Sequence, residues 1–198
     1  MTMLRTISPV DGSVYAELPL ASDSEIGAAL ARSIAAQRDW RRRPLTERAA
    51  LLGALIDTFI ARRDEIALEL TWQMGRPIRY SPGEIRGFEE RARTMVALAS
   101  RALADIDVGQ KDGFRRFIRH DPLGVVLVIA PWNYPYLTAV NSVVPALMAG
   151  NSVLLKHAQQ TPLCAERLAA AANAAGLPNG LLQAIHTSHD ATTQLIRN

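Results

Sequence analysis

Asn133 and Lys156 are the two side chains whose type and placement point to chemistry in this sequence. Asn133 follows the apolar run Val125-Val126-Leu127-Val128-Ile129, which Pro131 closes because proline cannot donate to a β-ladder. Lys156 lies just beyond a second short apolar run, Ser152-Val153-Leu154-Leu155. If both runs are parallel strands, their carboxyl ends share one edge of the sheet, where open α/β sheets bind ligands. Taken alone, Asn133 is more often a turn-former than a functional group. The wider context therefore decides its meaning.

The elements that must position these two residues are legible in pattern. The five apolar residues from Val125 to Ile129 are mostly β-branched and do not alternate, which predicts a strand covered on both faces that anchors the core. Tyr136 to Met148 is apolar enough for a helix packed on that sheet, with Pro145 capping, kinking or interrupting it. Ala149-Gly150-Asn151 supplies the stop, and Gly150 is free to take positive φ. Thr161-Pro162 is read as the N-cap and first position of an alanine-rich helix ending at Gly176. A turn at Leu177-Pro178-Asn179-Gly180 leads into a third strand, Leu181 to Ile185. The alternation β-α-β-α-β predicts an α/β fold with a Rossmann-like, doubly wound parallel sheet, here incomplete.

The front half reads as mainly helical. Ser22-Asp23-Ser24-Glu25 is a capping-box pattern opening a helix to about Trp40. Leu45, Leu52, Leu55, Ile56 and Phe59 make one apolar stripe on a second helix. A third runs from Asp64 to Met74 and stops at Gly75-Arg76-Pro77; a fourth runs from Ser81 to about Ala104. Residues 105–113 are loop-like, and Phe114 to His120 alternates apolar with basic residues, predicting an exposed strand.

With these elements placed, the motifs PWNYP, PALMAGN, LLKHAQQTPL and AAGLPNG, in that order, resemble the cofactor-binding domain of the aldehyde dehydrogenase superfamily. Upstream, SPVDGSVYAELPLAS, WRRRPLTERAALL and MGRP are similar to the family's N-terminal pattern, so the resemblance runs from about Ser8 to Leu195. It implies an N-terminal portion of an NAD- or NADP-dependent aldehyde dehydrogenase, with 1–104 mainly helical, 113–122 an oligomerisation strand and 123–198 the nucleotide-binding part. It implies that Asn133 helps hold the thiohemiacetal oxyanion, a role suited to a neutral amide N–H donor. It further implies that Lys156 contacts the adenosine ribose hydroxyls and that Ile129, Ala130, Pro131 and Trp132 line the cofactor cleft. Gln159 falls where many NAD-preferring members carry a ribose-binding glutamate; a neutral amide there leans toward tolerance of NADP.

Three departures stand out. The resemblance implies a turn after the third strand, here His186 to Thr193, in which His189 and Thr193 lie near positions where the family has glycines close to the adenine, and His157 replaces a frequent proline. The resemblance also implies that the catalytic cysteine, the general-base glutamate and the catalytic domain follow this region, so the chain by itself is expected to be inactive. The alternative is a non-catalytic relative that binds nucleotide or a partner.

The remaining features read blandly. Cys164, the only cysteine, sits in the first turn of a predicted helix, where a thiol pKa can fall. Its position matches a helix residue of the family rather than the nucleophile, and a lone cysteine is commonly a small buried hydrophobe. His186 and His189 have no third metal ligand nearby, so no metal site is expected. Arg41-Arg42-Arg43 reads as a solvated face, and no glycine-rich phosphate loop of either common kind occurs. A net charge of +3 from 22 basic and 19 acidic residues does not imply nucleic acid. No signal peptide is visible and the longest apolar run is half a membrane span, so the expectation is a cytoplasmic, homo-oligomeric enzyme acting on an aldehyde.

Overall fold

A computed structural model describes residues 2–197; Met1 and Asn198, at the outer limits of the first and last predicted segments, lie outside the described residues. The chain opens with an antiparallel hairpin, β1 (Met3–Ile7) and β2 (Val14–Pro19), then α1 (Asp23–Trp40), α2 (Leu45–Ile60), α3 (Arg63–Met74) and α4 (Ser81–Ala102). A two-residue pair follows, β3 (Ile106–Asp107) with β4 (Phe117–Ile118). The last section is β5 (Val125–Ala130), α5 (Pro135–Met148), β6 (Ser152–His157), α6 (Leu163–Ala174), β7 (Leu182–Ala184) and α7 (His189–Arg197).

The parallel sheet has the order β5-β6-β7, with Val125 opposite Ser152 and Val153 opposite Leu182. Its two faces have separate cores. Val128, Ala130, Val153 and Leu155 join residues of α2, α4, α5 and α6 in the larger one. Leu154 packs with Ile26 and Ala29 of α1, Ile185, and Ala191 and Leu195 of α7 in the smaller. Helices on both faces make the α/β, doubly wound arrangement that the pattern predicts. All six residues of β6 are buried, and each large apolar one contributes about 1.5–3 kcal/mol.

Helix α1 is more than front-half scaffolding. The capping box forms, with Ser22 accepting from Glu25 N–H and the Glu25 carboxylate accepting from Ser22 N–H. At its other end Trp40 is fully buried and donates its indole N–H to Leu147 O at 2.8 Å, while Gln37 donates to Gly150 O at 3.0 Å. The helix thus covers one sheet face and anchors the end of α5. Phe59, Phe88 and Tyr136 bring α2, α4 and α5 together, with Phe59–Phe88 ring centroids 4.4 Å apart and Phe59–Tyr136 5.1 Å apart. Such pairs add about 0.5–1.5 kcal/mol beyond their burial.

Several expectations require correction. The segment 1–104 is mainly helical as expected, and it also carries an unexpected hairpin, β1 with β2, near its start. β5 is an edge strand, with only Val128 and Ala130 buried and Ile129 49% exposed; β6 is the strand covered on both faces. The exposed strand predicted over Phe114–His120 shrinks to Phe117–Ile118, because only two residues find a partner in β3. Thr161 does not cap α6 through its side chain: Pro162 is the N-cap, and the buried Thr161 Oγ1 has no partner among the described residues. Residues His189 to Thr193 belong to α7 rather than to a turn. Pro145 is accommodated inside α5, near its end.

Gly150 adopts the expected positive φ, +90°, between α5 and β6. An added Cβ would lie 2.4 Å from an Arg48 guanidinium nitrogen and 3.4 Å from Arg41 Cα. Gly150→Ala is therefore expected to cost about 1–2 kcal/mol, mostly as left-handed backbone strain, since the arginine end can swing aside. Urea unfolding checks this; an unchanged midpoint would mean that the turn relaxes to negative φ.

Candidate functional site

The sheet's carboxyl edge is assembled by register. Ile129 pairs with Lys156 and Ala130 with His157, so Leu127, Ile129, Leu154 and Lys156 share the face that α1 covers. Leu154 is buried under that cover, but Ile129 is half exposed, which leaves an apolar strip open at the strand end. Lys156 lies within β6 rather than beyond it and is 6% exposed. Burial pulls its pKa below the usual lysine value, with no charged neighbour contributing. The Lys156 stem is buried while the ammonium keeps solvent access and has no hydrogen-bond partner among the described residues, so it is free to receive a polar group of a ligand.

Beyond β5 the chain passes through half-buried Pro131 to Trp132, which is 47% exposed, and to exposed Asn133. Asn133 Oδ1 accepts from the Tyr134 N–H at 3.1 Å. That bond fixes the amide orientation and leaves the two Nδ2 hydrogens as outward donors. Gln159, two residues after β6, has an exposed side chain, and its carbonyl accepts from Thr6 Oγ1 of β1 at 2.9 Å. The hairpin that sequence patterning passed over therefore holds the β6–α6 loop in place. Ala130 is buried, so its side chain faces the larger core and only its backbone borders the edge.

The structure thus gathers Ile129, Pro131, Trp132, Asn133, Lys156 and Gln159 around the ends of two adjacent parallel strands. A lysine ammonium without a protein partner among the described residues, an exposed apolar strand end and a half-exposed indole fit a nucleotide, which needs hydroxyl or phosphate recognition beside a flat apolar surface.

Two residues that the sequence reading did not single out join the same region. Arg76 and Glu84 form a buried ion pair, with Arg76 Nη2 donating to Asn133 O at 2.5 Å and Glu84 Oε1 accepting from Tyr136 N–H at 2.9 Å. In the sequence Arg76 falls in a helix stop and in the MGRP motif, and Glu84 lies in the first turn of the fourth helix, but nothing local marks either as a partner of Asn133.

Cys164 is fully buried, and burial pushes its thiol well above the usual cysteine range, which opposes thiolate formation. His186 Nε2 lies 2.6 Å from Glu166 Oε1, and among the described residues no cluster of three metal-ligating side chains occurs. Arg41, Arg42 and Arg43 are exposed. Among the described residues no helix is long and apolar enough to cross a membrane.

A parallel sheet covered by helices on both faces, with these groups at its carboxyl edge, is a Rossmann-like arrangement. The chain belongs to the aldehyde dehydrogenase family, whose sequence profile matches residues 1–198. It is 37% identical over 182 residues to 3,6-anhydro-alpha-L-galactose dehydrogenase of Streptomyces coelicolor, covering 92% of this chain and 37% of that protein. It is 35% identical over 198 residues to succinate-semialdehyde dehydrogenase [NADP(+)] of Mycobacterium avium, covering 98% of this chain and 42% of that protein. Its fold superposes with a TM-score of 0.91 on succinic semialdehyde dehydrogenase from Streptococcus pyogenes in complex with NADP+, at 26% identity, covering 98% of this chain and 43% of the other. The chain therefore spans about two fifths of the length of these relatives.

Proposed function

We propose that this chain is the cofactor-binding portion of an NAD(P)-dependent dehydrogenase that oxidises an aldehyde to a carboxylic acid, and that Asn133 supplies an oxyanion donor. The observation that carries the reading is the meeting at one sheet edge of a lysine whose stem is buried and whose ammonium has no protein partner among the described residues with an amide whose N–H groups are free. Lys156 and Gln159 bind the ribose end of the nucleotide, while Ile129, Ala130, Pro131 and Trp132 form the wall beside it. NAD(P), when bound, supplies the hydride acceptor. The nucleophile is a thiol from outside these residues, because Cys164, the chain's one cysteine, is sealed in the core.

The 198-residue chain alone is accordingly expected to form no NAD(P)H from any aldehyde, whereas a protein joining it to the rest of the family's length does so. Turnover by the isolated chain would overturn the assignment of the nucleophile. Both named relatives act on aldehydes with further polar groups, so polar aldehydes are the first class to assay. We read the exposed Ile106, Phe114, Phe117 and Ile118 around β3 and β4 as a contact between copies in a cytoplasmic homo-oligomer, which sedimentation of Phe117→Asp against wild type tests.

Cofactor choice gives a separate expectation. A neutral Gln159 beside Lys156 places no negative charge against a ribose 2′-phosphate, so NADP is accepted. Gln159→Glu in the active enzyme should raise KM for NADP about tenfold or more while changing KM for NAD less than threefold, the scale of one close like-charge contact. Equal effects on both cofactors would move the ribose site away from this residue.

A further inference from the structure

We infer that Arg76 and Glu84 are positioning residues that hold the Asn133 turn in its donor geometry by clamping both its carbonyl and the helix start behind it. The inference rests on the proposed role of Asn133 and extends it to two side chains on other elements.

The clamp is built from the sequence upward. α3 ends at Gly75, whose φ of +75° turns the chain, and an added Cβ there would meet Pro9 Cγ at 2.8 Å. That turn delivers Arg76 to the start of α4, where Glu84 has no exposed side-chain surface. α5 has no side-chain cap of its own: its N-cap is Tyr134, and Pro135 brings no N–H. Glu84 fills the role from another helix, its Oε1 accepting from Tyr136 N–H at 2.9 Å and Leu137 N–H at 3.4 Å. Glu84 Oε2 pairs with Arg76 Nη1, and Arg76 Nη2 donates to the Asn133 carbonyl at 2.5 Å. The same guanidinium lies over the Tyr134 ring, 4.7 Å from its centroid. Asn133 O, the Tyr134 ring and the first free N–H groups of α5 are therefore all held by one buried pair.

Stability does not explain such a pair well, because desolvating two charges commonly costs as much as their attraction returns. Geometry explains it better. A preorganised donor loses most of its effect when displaced by about 1 Å, and sites held on rigid elements keep that tolerance. Arg76 is suited to bridging because its planar fork donates in two directions at once.

The test uses the active dehydrogenase that contains this segment, with Arg76→Met/Glu84→Gln as the neutral pair that leaves no lone buried charge. The expected result is a fall in kcat of about tenfold to a hundredfold, with KM for the cofactor within twofold of wild type. In an Asn133→Ala background the same double change should lower kcat less than about twofold further, because residues acting through one donor are not additive. A full, additive loss in that background, or no loss with Asn133 intact, overturns the clamp. A second measurement separates this inference from the role of Asn133 itself. Amide exchange at Tyr136 and Leu137 in the 198-residue chain should quicken at least about tenfold in Glu84→Gln, while amides of β6 stay protected. Unchanged exchange at both amides also overturns the clamp. If Asn133→Ala leaves kcat intact while that exchange quickens, the clamp stands and only the donor assignment falls.

Discussion

Asn133→Ala in the active enzyme is expected to lower kcat by about a hundredfold to a thousandfold, the usual loss when one oxyanion donor is removed. The structure supplies the reasons for so large an effect. The Asn133 side chain is already oriented, since Oδ1 is engaged by the Tyr134 N–H and only Nδ2 is free to donate. Its carbonyl is fixed by Arg76, so the turn itself should survive the substitution. The loss should therefore fall on kcat rather than on KM for NAD(P), because the proposed cofactor groups lie along and just beyond β5 and β6 and do not include this amide. Asn133→Asp should be at least as damaging, since it keeps the shape but sets a negative charge against a developing one. Steady-state kinetics of the two variants checks this, and a loss below about tenfold in either would remove Asn133 from the oxyanion site.

The second large effect is acid lability from His157. Its ring is 1% exposed at the end of β6, and neither nitrogen has a hydrogen-bond partner among the described residues. Burial, reinforced by nearby His186 and Lys156, pushes its pKa down to about 3 from an ordinary value of 6.5. The folded chain thus binds fewer protons here than the unfolded chain does. Stability is complete above pH 6.5 and drains as pH falls from there toward about 3. At pH 5 the loss is on the order of 2 kcal/mol, at about 1.4 kcal/mol per pH unit.

His157→Leu should flatten this slope and be near neutral or slightly stabilising at pH 7, because it exchanges an unpaired polar ring for an apolar one. The comparison belongs between pH 7 and 5. Glu166, held down by its hydrogen bond to His186, loses its contribution only at lower pH, as the solution falls through the carboxylate range. Glu84, pushed up by burial, has the opposite slope but is common to both proteins and cancels in their difference. Urea midpoints of the pair over that range are the readout, and parallel slopes would show that His157 finds a proton-bound partner in the fold.

How much was legible follows from how local each signal is. The Ser22–Glu25 box, the stripe ending at Phe59, the Gly75 stop and the Gly150 turn each depend on neighbours within a few residues, and all appear in the fold. Asn133 and Lys156 were found because strand ends are visible as apolar runs that stop. Lys156 lies inside β6 rather than just past its end, since a lysine inside a strand does not look like strand sequence. The apolar run of β5 suggests a fully covered strand because it does not reveal that β5 lies at the sheet edge with Ile129 half exposed. The hairpin escaped because its two strands are short and half-exposed, and its value lies in Thr6 reaching Gln159 across 153 positions. Arg76 and Glu84 escaped for the same reason: their joint meaning depends on Asn133, more than fifty positions away on another element. The turn expected at residues 189–193 comes from the family resemblance, whereas the chain there forms a helix whose Ala191 and Leu195 pack with Ile185, Leu154 of β6, and Ile26 and Ala29 of α1.

The measurement that tests the central claim most directly is the production of NAD(P)H from an aldehyde by the protein carrying these residues, purified from the cells that make it. The account predicts NAD(P)H and carboxylic acid in equal amounts, with the rate collapsing in Asn133→Ala and KM for the cofactor rising in Lys156→Met. Purified protein that binds NAD(P) yet forms no NAD(P)H across a broad panel of aldehydes would contradict it and leave a nucleotide-binding relative without catalysis.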